Sequence, residues 1–212
     1  MLYRGAEAVI SEQTGKPSTI LKERIKKNYR LPQIDEKLRR QRTKSEASLL
    51  REAARSGVYV PKIIEEKIFE LVLEKIDGPM VKSIINKENM RQICEKIGYS
   101  IAMLHSAGII HGDLTTSNIM MKDNNIYLID FGLGFRSGKA EDMATDLHVL
   151  NEALTSTHVF IAEKAWKILL NAYSQNYKRY ESCGAASDDS SKKVIASLEN
   201  LEKRGRYRDR SG

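Results

Sequence analysis

Short apolar runs of β-prone residues dominate the first third of the chain, and one long helical stretch interrupts them. Helical spacing of the apolar positions begins near Ile34 and lasts to Ser56, where Gly57 favours a helix end. The predicted apolar face of this helix holds Leu38, Ala47, Leu49, Leu50 and Ala53. The β-prone runs lie at 8–10, 19–21, 62–64 and 68–74. Because turn-forming residues at 15–18 separate the first two runs, the pattern predicts strands with a single helix between them.

Helical periodicity dominates the rest of the chain, with one hairpin in its middle. Apolar residues recur at helical spacing over 88–107, and Gly108 ends the pattern. Two β-prone segments at 119–121 and 126–129 flank a polar Lys-Asp-Asn-Asn turn, which is a hairpin signal. The other predicted elements are helices within 141–180, including a long one at 162–179, a loop at 182–191 and a last helix at 192–203.

The order of these elements predicts an α+β fold in two lobes. Asp77-Gly78-Pro79 breaks the pattern between the strand-rich part and the helix-rich part. We therefore expect an N-lobe at 1–76, a C-lobe at 77–202 and a basic C-terminal tail at 203–212.

Composition narrows the protein class further. The 212 residues are 41% hydrophobic, enough to bury a sizeable core. No apolar run approaches the roughly 20 residues that cross a bilayer, and the amino terminus has no apolar signal segment. Two isolated cysteines favour free thiols in a reducing compartment. We expect a cytoplasmic protein.

The chain is basic, and the excess charge is concentrated. A formal net charge of +7 favours an anionic partner, which phosphates, RNA and acidic protein surfaces all satisfy. Ten of the lysines and arginines lie between Lys22 and Lys44, against three acidic residues. This stretch is compatible with nucleotide binding, RNA contact or a solvated helix face.

Two polar segments carry the candidate chemistry. His111-Gly-Asp-Leu-Thr-Thr-Ser-Asn118 follows a predicted helix, and Asp130-Phe-Gly follows the predicted hairpin. Phosphoryl transfer uses a carboxylate to orient the attacking hydroxyl or water, and an Asn with a second carboxylate to hold Mg²⁺. Either segment alone is an ordinary turn sequence. Together, in this order around a hairpin, they predict a phosphoryl-transfer site in which His111 braces the catalytic loop.

This pair of segments resembles those of the protein-kinase-like fold. The resemblance implies that Asp113 is the catalytic residue and that Asn118 and Asp130 hold Mg²⁺ beside bound ATP. It also implies a strand lysine that pairs with a helix glutamate. Lys22 directly follows the run at 19–21 and fits the first role. Glu46 on the predicted helix fits the second, with Glu52 as its competitor.

Several departures from the usual kinase pattern imply a minimal version of the fold. No Gly-x-Gly-x-x-Gly-x-Val segment lies near the amino terminus, so Gly5-Ala-Glu-Ala is the candidate phosphate-covering turn. Gly112 replaces the arginine that would receive an activation-loop phosphate. No Ala-Pro-Glu follows Asp130-Phe-Gly. The sequence thus implies a truncated C-lobe and no activation-segment platform.

Taken together, these features resemble the small atypical kinase/ATPase subunit of the KEOPS complex. The discriminating part is the stretch Lys22-Glu-Arg…Tyr29-Arg-Leu-Pro-Gln-Ile-Asp35, followed by the Arg42-Thr-Lys-Ser-Glu46-Ala segment. The resemblance covers nearly the whole chain, including the basic tail with Arg206, Arg208 and Arg210.

The resemblance implies a function. Members of this family bind ATP and Mg²⁺, phosphorylate themselves or other proteins at serine or threonine weakly in isolation, and act as ATPases when docked on a metal-dependent tRNA threonylcarbamoyl-transferase subunit. That complex modifies an adenosine next to the tRNA anticodon. The basic tail is then expected to contact tRNA phosphates. Two alternatives stay open: a small-molecule kinase resembling aminoglycoside phosphotransferases, and a scaffold that binds nucleotide without turnover.

Overall fold

The computed structural model describes residues 3–5, 7–13, 15–177 and 190–208, without the side chains of residues 3, 4, 16, 190 and 204–208. The loop predicted at 182–191 therefore lies outside the described residues as far as 189, and so does Cys183.

An antiparallel five-stranded sheet and one helix form the first part. The strands are β1 (Tyr3–Arg4), β2 (Ala8–Gln13), β3 (Lys16–Arg24), β4 (Ile63–Glu66) and β5 (Glu70–Glu74). Their order in the sheet is β1-β2-β3-β5-β4, so β3 lies in the middle. The register pairs Lys22 of β3 with Leu71 of β5. This confirms the strands predicted from the four β-prone runs.

Helix α1 (Pro32–Arg55) contacts strands β4 and β5. It begins slightly earlier than predicted, because proline suits the first turn of a helix, where its missing N–H needs no partner. Four of the five residues predicted for its apolar face are buried, whereas Leu38 is only half-buried. The buried face also holds Asp35 and Glu46, which apolar periodicity cannot reveal.

The second part is mostly helical. The helices are α2 (Val81–Ile84), α3 (Met90–Ser106), α4 (Ala140–Thr157), α5 (Ala162–Asn176) and α6 (Ser190–Arg208). Helix α3 packs on α5, and α4 packs on α6. Gly98 allows the first contact, because a Cβ atom there would lie 2.4 Å from the Leu169 carbonyl oxygen. Helix α6 passes the predicted end at Lys203, so the first part of the expected tail is helical.

Two small strand pairs connect these helices. Strands β7 (Ile119–Lys122) and β8 (Asn125–Leu128) form the predicted hairpin, with Asp123 and Asn124 at positive φ in its turn. Strands β6 (Ile109–Ile110) and β9 (Phe135–Arg136) also pair, which the sequence did not indicate. Because β6 precedes the loop at 111–118 and β9 follows the loop at 129–134, this pair holds the two polar loops side by side.

One hydrophobic core runs through both parts. It joins residues of α1 and β5 to residues of α3, α4 and α5. Within the described ranges, none of the helices combines the length and the apolarity that a bilayer span requires. The lobe boundaries at residues 77 and 203 stay predictions.

Candidate active site

Lys22 is buried in the middle of the sheet and joins two acidic side chains. Its Nζ atom lies 2.6 Å from Oε1 of Glu46 and 2.7 Å from Oδ1 of Asp130. Strand β3, helix α1 and the loop after β8 therefore meet at this one ammonium group. The structure brings the lysine and the helix glutamate together as the resemblance implied. Glu52 points elsewhere and pairs with Arg136.

Arg24 is a member of this cluster that sequence analysis missed. It lies two residues beyond Lys22 on the same strand, so the two side chains share one face of the sheet. Its guanidinium Nη2 lies 2.5 Å from Oε2 of Glu46, and the side chain is buried. One buried carboxylate thus pairs with two buried cations, and Asp130 supplies a second negative charge beside Lys22. The alternation of side chains along β3 places Arg24 on the same face as Lys22. The sequence alone does not show whether an arginine there is buried or solvated.

The loop after β6 places Asp113 against Asn118. The Asn118 side-chain amide donates to the Asp113 carbonyl oxygen at 2.8 Å and to its carboxylate Oδ2 at 2.9 Å. The backbone N–H of Ile129 donates to the Asn118 carbonyl at 3.0 Å. Asn118 therefore fixes the Asp113 carboxylate and also borders the residue before Asp130.

Asp130 occupies a backbone conformation that is uncommon for residues other than glycine, with φ of 63°. Its Oδ1 accepts from the Gly132 N–H at 3.0 Å as well as from Lys22, while the side chain is 43% exposed toward the cleft. Burial by itself would raise the pKa of Asp130, but the Lys22 ammonium outweighs this and lowers it below its usual range. The carboxylate is therefore ionised at neutral pH, as a metal ligand must be.

Asp146 stabilises the loop at 111–118 and is a second residue that sequence analysis missed. It is buried on α4, and its carboxylate accepts from the N–H groups of His111 at 2.7 Å and Gly112 at 2.8 Å. His105 Nε2 lies 3.3 Å from the same carboxylate. Burial by itself would raise the pKa of Asp146, but the hydrogen bond with the His105 side chain and the backbone hydrogen bond from His111 outweigh it and lower the pKa. Nothing in the sequence pattern indicated this role, because α4 lies far from the loop along the chain.

His111 braces the loop, as expected. Its Nε2 lies 3.0 Å from the Ile129 carbonyl oxygen, and the Asp113 N–H donates to its Nδ1 at 3.4 Å. Both contacts fit a neutral ring with the proton on Nε2. Burial lowers the pKa of His111, which keeps the ring neutral at physiological pH.

A steric constraint explains why the His-Gly-Asp segment has a glycine at its middle position. Gly112 adopts φ of 78°, and a Cβ atom there would lie 2.3 Å from the Leu133 carbonyl oxygen. No other residue fits without separating the two loops.

These elements border a cleft with a cavity of about 190 Å³. Four predicted site residues line it: Gly5, Lys22, Asp113 and Asp130. Glu46 lies behind Lys22, and Asn118 lies behind Asp113, so neither lines the cavity. Gly5 sits at a turn in which its N–H donates to the Ala8 carbonyl at 2.9 Å. The roles of these residues stay predictions, whereas their proximity is a property of the structure.

The donor set fits Mg²⁺ bound together with a nucleotide. In the described part of the chain, no three His, Cys, Asp or Glu side chains come close enough to form a metal site of their own. Asn118 and Asp130 offer hard oxygen ligands, and Mg²⁺ commonly takes only one or two protein carboxylates and completes its shell with phosphate oxygens and water.

Comparison with known proteins places the chain in a family. The RIO domain matches residues 16–160. KEOPS complex subunit Bud32 of Pyrococcus abyssi is 40% identical over 197 residues, covering 91% of this chain and 86% of that protein. A probable bifunctional tRNA threonylcarbamoyladenosine biosynthesis protein of Methanosarcina barkeri is 36% identical over 98% of this chain. The chain spans only 35% of that longer protein.

A solved structure shows the fold. The Rio2 kinase–ADP/Mg²⁺–phosphoaspartate complex from Chaetomium thermophilum matches with a TM-score of 0.65, covering 97% of this chain and 70% of that chain. At 14% sequence identity this likeness establishes a protein-kinase-like fold. Together with the sequence relationship, it shows that the chain belongs to the RIO domain family of atypical kinases, in the group of the KEOPS subunit Bud32.

Proposed function

We propose that the chain is an ATP- and Mg²⁺-dependent serine/threonine protein kinase that acts as an ATPase within a KEOPS complex. The observation that carries this proposal is the position of Lys22, which joins Glu46 and Asp130 at one side of the cleft that Asp113 also borders. Family membership makes phosphoryl transfer the class of reaction expected.

Each side chain then has a defined task. Lys22 binds phosphate oxygens, and Glu46 keeps its ammonium group in position. Asp113 orients the attacking serine hydroxyl or water and accepts its proton. Asn118 and Asp130 hold Mg²⁺, which when bound neutralises charge on the phosphates.

Water or a nearby serine is the expected phosphoryl acceptor, because the described chain offers little to hold a peptide. Only residues 131–139 separate Asp130 from helix α4, and strand β9 occupies part of them. Protein kinases that phosphorylate docked peptides use a longer segment here. A short connection favours hydrolysis or autophosphorylation.

The proposed biological role follows from the relatives. One is a subunit of the KEOPS complex, and another is a biosynthesis protein for threonylcarbamoyladenosine in tRNA. We propose that this chain supports the same modification in the cytoplasm, bound to the metal-dependent threonylcarbamoyl-transferase subunit. Contact with tRNA through the basic C-terminal residues belongs to the same proposal.

Asp130→Asn tests the catalytic assignment. The change keeps the side-chain shape but removes the charge that faces Lys22 and Mg²⁺, so Mg²⁺-dependent ATP hydrolysis should fall by about 10²-fold or more. Asp123→Asn is the matched control, because Asp123 also has a positive φ, 50°, but lies in the exposed hairpin turn. The measurement is phosphate release by the purified chain, alone and with the proteins that copurify with it.

The two variants separate the possible outcomes. Loss in Asp130→Asn with full activity in Asp123→Asn supports the site. Undiminished hydrolysis in Asp130→Asn would show that the metal site is misassigned.

A further inference from the structure

Arg42 is a charged side chain in the cleft that the proposed mechanism does not use. It lies on α1 four residues before Glu46, so both side chains leave the same face of the helix. Arg42 lines the same cavity as Asp113 and Asp130. It therefore borders the cavity in which the proposed function places the phosphates of the nucleotide.

The cations of this cleft differ in how firmly they are neutralised. Lys22 has two carboxylates within 2.7 Å, and Arg24 has Glu46 at 2.5 Å, all in buried or half-buried positions. Arg42 pairs instead with Glu7, at 2.6 Å between Nη1 and Oε2. Among the described residues, Glu7 is the ion-pair partner of Arg42.

The Glu7 pair is poorly placed to hold Arg42 permanently. Both side chains are about one-third exposed, and exposed ion pairs contribute little to stability. Glu7 also pairs with Arg30 at 3.2 Å, so its charge is divided between two arginines. It lies on the short connection between β1 and β2, beside Gly5, where the chain covers the cavity.

We propose that Arg42 binds the γ-phosphate of ATP and that Glu7 holds the Arg42 guanidinium until that phosphate displaces the Glu7 carboxylate. A terminal phosphate carries more charge than a carboxylate and accepts the two parallel N–H bonds of a guanidinium. Arg42 would thereby distinguish ATP from ADP. This inference rests on the proposed function, because it requires a nucleotide in the cleft.

Arg42→Gln tests the inference, with Arg40→Gln as the matched control. Arg40 lies on the same helix, but its side chain is 60% exposed, and it pairs with Glu36 away from the cavity. Dissociation constants for ATP, ADP and adenosine are measured by calorimetry in Mg²⁺ for the wild type and both variants. We expect Arg42→Gln to weaken ATP binding by about 10-fold or more, which is the factor that one lost charge-assisted contact supplies. Binding of ADP should change less than 3-fold, binding of adenosine should stay the same, and Arg40→Gln should match the wild type.

Two more variants make the test specific to the phosphate. Arg42→Lys keeps the charge without the planar fork, so it should recover part of the lost ATP affinity. Glu7→Gln removes the competing carboxylate, so ATP should bind more tightly, and the gain should shrink at high salt. If Arg42→Gln does not fold, the Glu7→Gln measurement decides the question alone, and unchanged ATP affinity there would refute the competition.

The outcomes separate this inference from the proposed function. Wild-type affinity for ATP in Arg42→Gln, or an equal loss for adenosine and ATP, would overturn the role of Arg42 while leaving the nucleotide site intact. Failure of the wild type to bind ATP, or undiminished turnover in Asp130→Asn, would instead overturn the proposed function.

Discussion

Glu46 shows how single residues depend on partners that lie far away in sequence. Its two carboxylate oxygens bind one cation each, Lys22 and Arg24, and all three side chains are buried. Removing one partner from a buried ion pair leaves an uncompensated charge, which costs more than the pair contributes. Lys22 and Glu46 were predictable because a known motif names a strand lysine and a helix glutamate. Arg24 and Asp146 were not, because their partners come together only in the folded chain.

Asp146→Asn should destabilise the protein in a pH-dependent way. Asn presents an N–H₂ group to at least one of the N–H donors of His111 and Gly112, so a buried donor loses its partner. The free energy of unfolding should fall by about 1–3 kcal/mol at pH 7. Asp142→Asn is the control on the same helix. Among the described residues, Asp142 accepts a hydrogen bond from the partly buried Ser137 hydroxyl, so the loss should be smaller.

The sign of the pH dependence follows from the lowered pKa of Asp146. Since the folded-state pKa lies below the unfolded value, the carboxylate contributes its full stabilisation above about pH 4. That stabilisation is lost as the pH falls through the folded-state pKa. The difference between wild type and Asp146→Asn, measured by denaturant unfolding at pH 7, 5, 4 and 3, should therefore narrow only below pH 4. A constant difference would contradict the assignment.

At the scale of elements, local periodicity predicted the long helices and the hairpin. Helix α3 and the β7–β8 hairpin agree closely with the sequence pattern, because each forms from neighbouring residues with a repeating apolar spacing. The β6–β9 pair could not be predicted, since two-residue strands contain no repeat and their partners lie far apart along the chain. Yet this pair aligns the two loops of the candidate site.

Gly98→Ala tests the packing of α3 against α5. The added Cβ would lie 2.4 Å from the Leu169 carbonyl oxygen, so the helices must separate. Overpacking of this kind costs about 1–3 kcal/mol, and the higher helix propensity of alanine recovers at most about 1 kcal/mol of it. Thermal and denaturant unfolding should show a net loss. Glu95→Ala on the exposed face of the same helix should change stability by less than about 0.5 kcal/mol.

For the whole molecule, the sequence predicted the α+β class and three of the charged residues that line the cleft, but not Glu7, Arg24 and Arg42, which line it as well. Some of the excess basic residues are buried and paired inside the fold, where Lys22 and Arg24 both contact Glu46. Other basic residues of the same stretch, Lys26, Lys37, Arg40 and Lys44, are exposed. Net charge alone could not separate these two groups, because the separation depends on which face of β3 and α1 is buried.

Deleting the residues after Lys203 tests the proposed tRNA contact. This segment contains four arginines and one aspartate, so its removal should weaken tRNA binding more at low salt than at high salt. The measurement is tRNA affinity by fluorescence anisotropy over a series of salt concentrations, and the logarithmic slope should become shallower. A full-length variant with glutamine at Arg206, Arg208 and Arg210 should reproduce the effect. If the deletion variant and the wild type showed the same salt dependence, the result would contradict a contact between this segment and tRNA.

The close approach of Gly112 to the Leu133 carbonyl limits how this enzyme can be regulated. A phosphorylation switch of the common kinase type needs an arginine at this position to capture the modified residue, and here the space for any side chain is filled by backbone. Phosphorylation of the segment at 131–139 would therefore find no arginine at position 112 to receive it. Regulation by docked partner proteins, which the proposed assembly with other subunits would provide, needs no such arginine.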